Sequence, residues 1–163
     1  MPTKTYEIFS NKEIVVPWNW DKNAVSIAKS VTWDENNTTI LSARLLITVK
    51  PSEGYVKAWF ELNTTEVAYF SWALGDNLVK SGSSDIIGVL LNGSNYFTAV
   101  PAKEFGNVNE VTFLISEQVV IDYEGEDPVA KPDFQKYLEY AAIGIGATAA
   151  VITIGGALTE EKK

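Results

Sequence analysis

The first 127 residues alternate between apolar and polar side chains with a period of two, which is the pattern of half-buried β-strands. The clearest run covers residues 38–50, where Leu45, Ile47 and Val49 alternate with polar neighbours before Pro51. Further short segments share this alternation or a strand-like composition, with turns rich in Gly, Asn, Asp and Ser between them. They are residues 12–20, 23–33, 56–62, 67–74, 86–91, 96–100, 108–116 and 118–123.

These closely spaced segments show no sustained helical periodicity and therefore predict an all-β fold, an antiparallel β-sandwich over residues 1–124. Eight strands in about 115 residues suit a jelly roll. An immunoglobulin-like strand order is the alternative, although the Cys, Trp, Cys spacing of true immunoglobulin domains is absent. The sequence has no internal repeat of constant period, which argues against propellers and solenoids.

A different pattern follows the predicted sandwich. Residues 125–132 contain Pro128 and Pro132 beside acidic side chains and predict a linker. Residues 133–159 predict an apolar helix, and residues 160–163 form a charged tail. The stretch 141–158 carries no charge, and as a helix it would extend about 27 Å, enough to cross a thin bilayer. We expect a transmembrane helix that contacts lipid through residues 141–158; a buried helix at a protein interface is the alternative.

Small residues recur every four positions in this predicted helix, at Ala142, Gly146 and Ala150. They predict a face on which another helix can approach closely. Because a lone anchor would not need such a face, we expect the helix to pack against copies of itself or against another protein within the bilayer.

Composition and charge restrict the chemistry that this chain can perform. Its 163 residues are 46% apolar, and 21 acidic against 13 basic residues give a formal net charge of −8. This acidic balance, without a Lys/Arg cluster, predicts no nucleic-acid partner. The chain has no cysteine and no histidine, which removes disulfides, Cys/His zinc sites and Ser-His-Asp triads. We expect a protein that is not an enzyme and that uses no cofactor or metal.

Tryptophan is abundant, with five residues in the chain. Trp18 and Trp20 are candidate interface or binding residues. Trp59 shares the strand parity of Lys57 and Glu61 and should point away from the core. We expect either a neighbouring subunit to cover Trp59 or Trp59 to be an exposed binding residue, since aromatic rings suit interfaces and sugar faces alike.

Four asparagines begin N-x-[ST] triplets and are candidate glycosylation sites on an exported surface. They are Asn36, Asn37, Asn63 and Asn92. The alternative interpretation is that these asparagines are polar turn residues.

A short jelly-roll-like domain with asparagine- and threonine-rich loops, an acidic surface, no cysteine and a C-terminal apolar helix resembles the capsid proteins of icosahedral viruses with an internal membrane. The resemblance is to turreted viruses of thermoacidophilic archaea in particular. It extends over the whole chain as architecture and rests on no motif. It implies a shell, penton-base or vertex protein that packs against neighbours while its terminal helix reaches the membrane.

Two functional hypotheses follow. The first is a virion structural protein, associated with an internal membrane, whose partners are itself, other shell proteins and lipid. The second is a membrane-anchored module on a cell surface that binds carbohydrate or protein through exposed tryptophans and loop asparagines. A hydrolase that relies on carboxylates is a third and weaker hypothesis, because no nucleophile and base stand out.

Overall fold

The computed structural model describes residues 2–18 and 23–128, which contain eight β-strands and no helix. The strands are β1 (Thr3–Val16), β2 (Ile27–Trp33), β3 (Thr38–Pro51), β4 (Val56–Leu62), β5 (Thr65–Trp72), β6 (Lys80–Asp85), β7 (Gly93–Lys103) and β8 (Val111–Gly125). The expected all-β architecture is confirmed. Residues 129–132 of the predicted linker, the predicted helix at 133–159, the charged tail at 160–163 and Trp20 lie outside the described residues.

The strands form two four-stranded antiparallel sheets, in the orders β1-β8-β3-β6 and β2-β7-β4-β5. The chain crosses from one sheet to the other at every connection except the tight turn between β4 and β5. This is the strand order of a jelly roll, in which two sheets of four strands are joined by Greek-key connections. The immunoglobulin-like alternative is therefore excluded for the described residues.

The core lies between the sheets and follows the alternation of the sequence. Every second residue of β3, β4 and β8 is buried, including Leu45, Phe60 and Phe113. Trp33 and Trp72 fill the space towards the two ends of the sandwich. Burying side chains of this size stabilises the fold by roughly 1.5–3 kcal/mol each, so this core accounts for most of the favourable free energy of folding.

Three strand predictions are corrected by the structure. Residues 86–91 were expected to form a strand because they are apolar, but they form the connection between β6 and β7, with the amides of Val89 and Leu90 bonded to the carbonyl of Ile86. Ile86 itself is fully buried and closes that end of the core. The neighbouring strand β6 has the sequence KSGSSD and is polar because it lies at the edge of its sheet.

The other two corrections concern strand length. β1 begins at Thr3, well before the expected residue 12, because its first half pairs with β8 as an edge strand. Residues 108–116 and 118–123 were expected to be separate strands, yet β8 runs without a break through Glu117.

The register places the connections at two opposite ends of the sandwich. At one end Thr3 pairs with Asp122 and Thr38 with Gly125, and at the other end Val16 pairs with Val111. We call the first end, formed by residues 34–37, 63–64, 86–92 and 125–128, the asparagine pole. We call the second end, formed by residues 17–18, 23–26, 52–55, 73–79 and 104–110, the apolar pole.

Candidate functional site

Large apolar side chains are exposed on the loops of the apolar pole. Phe105 is 92% exposed, Leu74 84% and Leu78 71%, and Val79, Tyr55 and Trp18 are also exposed. The asparagine pole exposes Ile87 and Leu91 to a smaller degree. Burying a large apolar side chain is favourable by about 1.5–3 kcal/mol relative to leaving it in water. A cluster of exposed apolar side chains at one end is therefore typical of an interaction surface.

Hydrogen bonds between the loops hold this pole in one conformation. The amide of Tyr55 donates to the carbonyl of Ala73 at 3.1 Å, and the amide of Glu104 donates to the carbonyl of Tyr55 at 3.1 Å. The buried Lys103 ammonium donates to the carbonyls of Pro17 and Asn109, both at 2.9 Å. The loops that carry the exposed side chains are therefore connected to one another by hydrogen bonds.

The asparagine pole is acidic and holds both ends of the described chain. The Lys4 ammonium lies 2.6 Å from the Asp127 carboxylate, and this hydrogen bond raises the pKa of Lys4. The Tyr6 hydroxyl also donates to Asp127. The pKa of Tyr6 is raised, mainly by burial and to a smaller extent by this hydrogen bond. Asp122 accepts hydrogen bonds from Thr3 at 2.5 Å and from Ser42, which lower its pKa.

All four candidate glycosylation asparagines lie at the asparagine pole, but their side chains differ. Asn36 and Asn37 are exposed in the turn between β2 and β3. Asn92 is exposed, and its side-chain oxygen accepts from the amide of Glu35 at 3.0 Å. Asn63 is half-buried in the turn between β4 and β5, and its side chain forms hydrogen bonds with Val89, Asn95 and Tyr96.

Trp59 lies on the outer face of β4, as its parity predicted, and is partly exposed. Its indole Nε1 donates to Glu61 at 3.2 Å, and the Lys57 ammonium lies 5.9 Å from the ring centroid. Its cross-strand neighbours are Tyr69 and Val100. The ring is thus half-buried on the outer face, beside side chains of its own strand and of the two neighbouring strands. Trp18 lies at the apolar pole, away from Trp59.

A trough of about 670 Å³ crosses the outer face of the sheet that contains β1, β8, β3 and β6. Four of its residues, one from each strand, form a row of hydroxyl and amide groups. The hydroxyl oxygens of Thr48 and Ser81 lie 3.4 Å apart, and the backbone amide of Asn11 donates to the Ser116 hydroxyl at 3.0 Å. Asn11 reaches this position because β1 is bulged there, with a φ of 46° at Asn11.

Glu117 is the most unusual residue of the core, and the sequence interpretation passed over it as a break between strands. It is 1% exposed, and neither carboxyl oxygen has a hydrogen-bond partner in the described part of the chain. Burial raises its pKa to about 8. The signal that identifies it is its parity in β8, which matches the buried Ile115 and Val119.

Within residues 2–18 and 23–128, no three carboxylates lie close enough together to hold a metal ion. In the same part of the chain, no helix is long and apolar enough to cross a membrane.

A comparison with protein-family models finds no match, and a comparison with curated protein sequences finds none either. Solved structures do match. The structure of infectious bursal disease virus, strain Gx, aligns with a TM-score of 0.51 and 14% identity, over 80% of this chain and 37% of the viral chain. The chain thus spans little more than a third of that viral chain. At this identity the likeness shows the fold alone, a jelly-roll sandwich.

Two further similar structures act on or bind sugars. A carbohydrate-binding module solved with calcium and xylotriose aligns with a TM-score of 0.37 and 11% identity, over 74% of this chain and 99% of the module. A family two carbohydrate esterase from Cellvibrio japonicus aligns with a TM-score of 0.35 and 13% identity, over 80% of this chain and 36% of the esterase.

Proposed function

We propose that this chain is a structural protein of a virion, a capsid, penton-base or vertex component whose C-terminal segment associates with an internal membrane. The observation that supports it best is the difference between the two poles. The described chain leaves the sandwich at the asparagine pole and continues towards the uncharged residues 141–158, whereas the exposed apolar loops lie at the other pole. From the 15 residues of β8, the poles are about 50 Å apart.

This arrangement suits a protein that connects a lipid layer to neighbouring molecules. In this proposal the residues that follow the asparagine pole in sequence bind lipid, and the exposed side chains of the apolar pole gain free energy by contact with a partner. The jelly-roll order supports the proposal, since the same fold occurs in the structure of infectious bursal disease virus. The half-buried Trp59 ring is neutral between the two hypotheses.

Reconstitution of the full chain with phosphatidylcholine vesicles tests this function. We expect the protein to float with the vesicles and to form regular arrays on them in cryo-electron micrographs. The variant Ile152→Lys places a charge within the uncharged stretch, at a cost of roughly 2.5–3.5 kcal/mol near the bilayer centre, and should lose flotation. Ile152→Leu is the matched control and should float.

A membrane-anchored module that binds carbohydrate or protein is the second candidate function. The trough on the outer face of the β1-β8-β3-β6 sheet favours it, because its row of hydroxyl and amide groups can bond to a neutral polyhydroxylated ligand. Protein that floats but covers the vesicles as isolated molecules, and that binds on a glycan array through Thr48 and Ser116, would replace the shell role with this one.

A further inference from the structure

The charges around the apolar pole balance, whereas those around the asparagine pole do not. Near the apolar pole the described residues include five lysines and five acidic residues, namely Lys12, Lys50, Lys57, Lys80, Lys103, Glu13, Glu53, Asp76, Glu104 and Glu110. Lys57 lies 3.7 Å from Glu104, and Lys80 lies 3.8 Å from Asp76. This end of the molecule is therefore close to electrically neutral.

The asparagine pole has the opposite character. Seven acidic residues lie there against two basic residues of the described chain, Lys4 and Arg44; the acids are Asp34, Glu35, Asp85, Asp122, Glu124, Glu126 and Asp127. Two copies of the protein therefore repel each other when their asparagine poles approach, and so does an anionic surface. For a chain with a net charge of −8, copies can associate at lowest electrostatic cost through the apolar pole.

The size of the exposed apolar surface also fits a protein partner. Complete burial of an aromatic side chain removes about 150–250 Å² from water, so Phe105 and Trp18 alone offer roughly 300 Å². Tyr55, Leu74, Leu78 and Val79 add to this area. The total approaches the ~800 Å² that each partner contributes to a stable interface.

We propose that the apolar pole is a self-association surface on which a second copy of this chain docks, pole against pole. A two-fold contact of this kind uses the same surface on both copies. It buries both apolar clusters together and leaves the two acidic poles at opposite ends of the pair, about 100 Å apart by strand length. The biological meaning of this contact rests on the proposed shell role, while the contact itself does not.

Single-cysteine variants test the contact directly, because the natural chain contains no cysteine. In a pole-to-pole pair a residue meets its own counterpart only close to the two-fold axis, so Phe105→Cys and Leu74→Cys sample two positions of the pole. We expect at least one of the two variants of the full chain, in mild detergent and under mild oxidation, to form disulfide-linked dimers. The matched control is Leu91→Cys, an exposed leucine of the asparagine pole, which should remain uncrosslinked.

A second measurement follows the strength of association in the same detergent by analytical ultracentrifugation. Phe105→Asp should raise the dissociation constant of the dimer at least about tenfold, since it places a charge in the centre of the contact. Leu91→Asp should leave it unchanged. Equal crosslinking at both poles, or a dissociation constant that Phe105→Asp does not alter, would overturn the proposal.

Other occupants of the apolar pole give different results. If the Ile152→Lys chain still binds phosphatidylcholine vesicles, and Phe105→Asp abolishes that remaining binding without an effect on dimers, the pole contacts lipid and the proposed self-association is wrong. If the dimers form but no arrays appear on vesicles, the shell role fails while the self-association stands.

Discussion

Glu117 of β8 pairs with Phe9 of β1, and β1 shifts its register against β8 on both sides of Phe9. A buried carboxyl without a partner thus lies opposite the least regular point of an edge strand. Ile47 pairs with Glu117 on the other side, so both cross-strand neighbours of the carboxyl are apolar. Such a group remains protonated at neutral pH, because ionisation without a partner in the core is costly.

This burial predicts that the protein is more stable in acid than at neutral pH. The pKa of Glu117 is about 8 in the folded state against 4.5 for an unperturbed glutamate. Between these values the folded state binds one more proton than the unfolded state, so the free energy of unfolding falls as the pH rises. The decline is about 1.4 kcal/mol per pH unit at most and levels off above about pH 8.

Thermal unfolding of the full chain in mild detergent, followed between pH 5 and pH 8.5, measures this effect. Glu117→Gln keeps the shape of the side chain and removes the titration, so its Tm should change much less over this range. Asp122 has a lowered pKa and acts in the opposite sense, because its stabilisation is lost only as the pH falls below the range measured. Parallel pH profiles for the wild type and Glu117→Gln would show that Glu117 is hydrated.

Alternation with a period of two predicted most of the strands because the inward residues of β3, β4 and β8 are nearly all apolar. It failed where the position of a segment outweighs its composition. The strand β6 is an edge and can be polar, whereas residues 86–91 are apolar because they close the end of the core. Glu117 has the inward parity of β8, but its acidic side chain predicts a break between strands, because composition alone does not show that a carboxyl is buried.

The two poles could not be predicted from the sequence. Leu74 ends the apolar run 67–74 and Phe105 stands alone, each next to a turn glycine; they are separated by 31 positions, and each alone is unremarkable on a protein surface. Only the jelly-roll strand order brings their loops to the same end. The four asparagine triplets were visible in the sequence, but their common location also follows from the strand order.

Gly54 predicts how strongly the framework of the apolar pole depends on close packing. A Cβ atom at this position would lie 2.2 Å from the carbonyl oxygen of Ala73, which is far inside van der Waals contact. Because the obstacle is backbone, we expect Gly54→Ala to destabilise the fold by about 2–4 kcal/mol. Chemical denaturation measures the change.

The control for this variant is Gly88→Ala in the connection between β6 and β7. A Cβ atom there meets no atom within 4 Å, so the free energy of unfolding should change by no more than about 0.5 kcal/mol. Similar denaturation midpoints for the two variants would mean that residues 52–55 and 73–79 separate readily.

Asn63 is predicted to be essential for the asparagine pole. Its φ of 52° suits asparagine in a tight turn, and its amide nitrogen donates to the Val89 carbonyl at 3.1 Å and to Asn95 at 2.8 Å. Its side-chain oxygen accepts from the amide of Tyr96 at 2.9 Å. Asn63→Ala removes the partners of the Val89 carbonyl and the Tyr96 amide and should cost about 1–3 kcal/mol.

The matched control is Asn36→Ala, an exposed asparagine of the same pole, which should be nearly neutral.

The same contrast applies to glycosylation in a host that exports the chain. Glycopeptide mass spectrometry of the folded product should find sugar on Asn36, Asn37 or Asn92 and none on Asn63. Occupied Asn63 in a protein with native stability would contradict the packing described for its side chain.

The last prediction concerns the small-residue face expected at Ala142, Gly146 and Ala150. If this face brings helices together in the bilayer, Gly146→Leu fills the space that allows close approach and should weaken their association. Chemical crosslinking of the full chain in detergent micelles measures it, with the dimer contact at the apolar pole removed by Phe105→Asp. In a helix of 3.6 residues per turn Gly144 lies on the opposite side, so Gly144→Leu is an equal change in size that should leave crosslinking intact. Equal crosslinking by the two glycine variants would show that the chain associates through some other face.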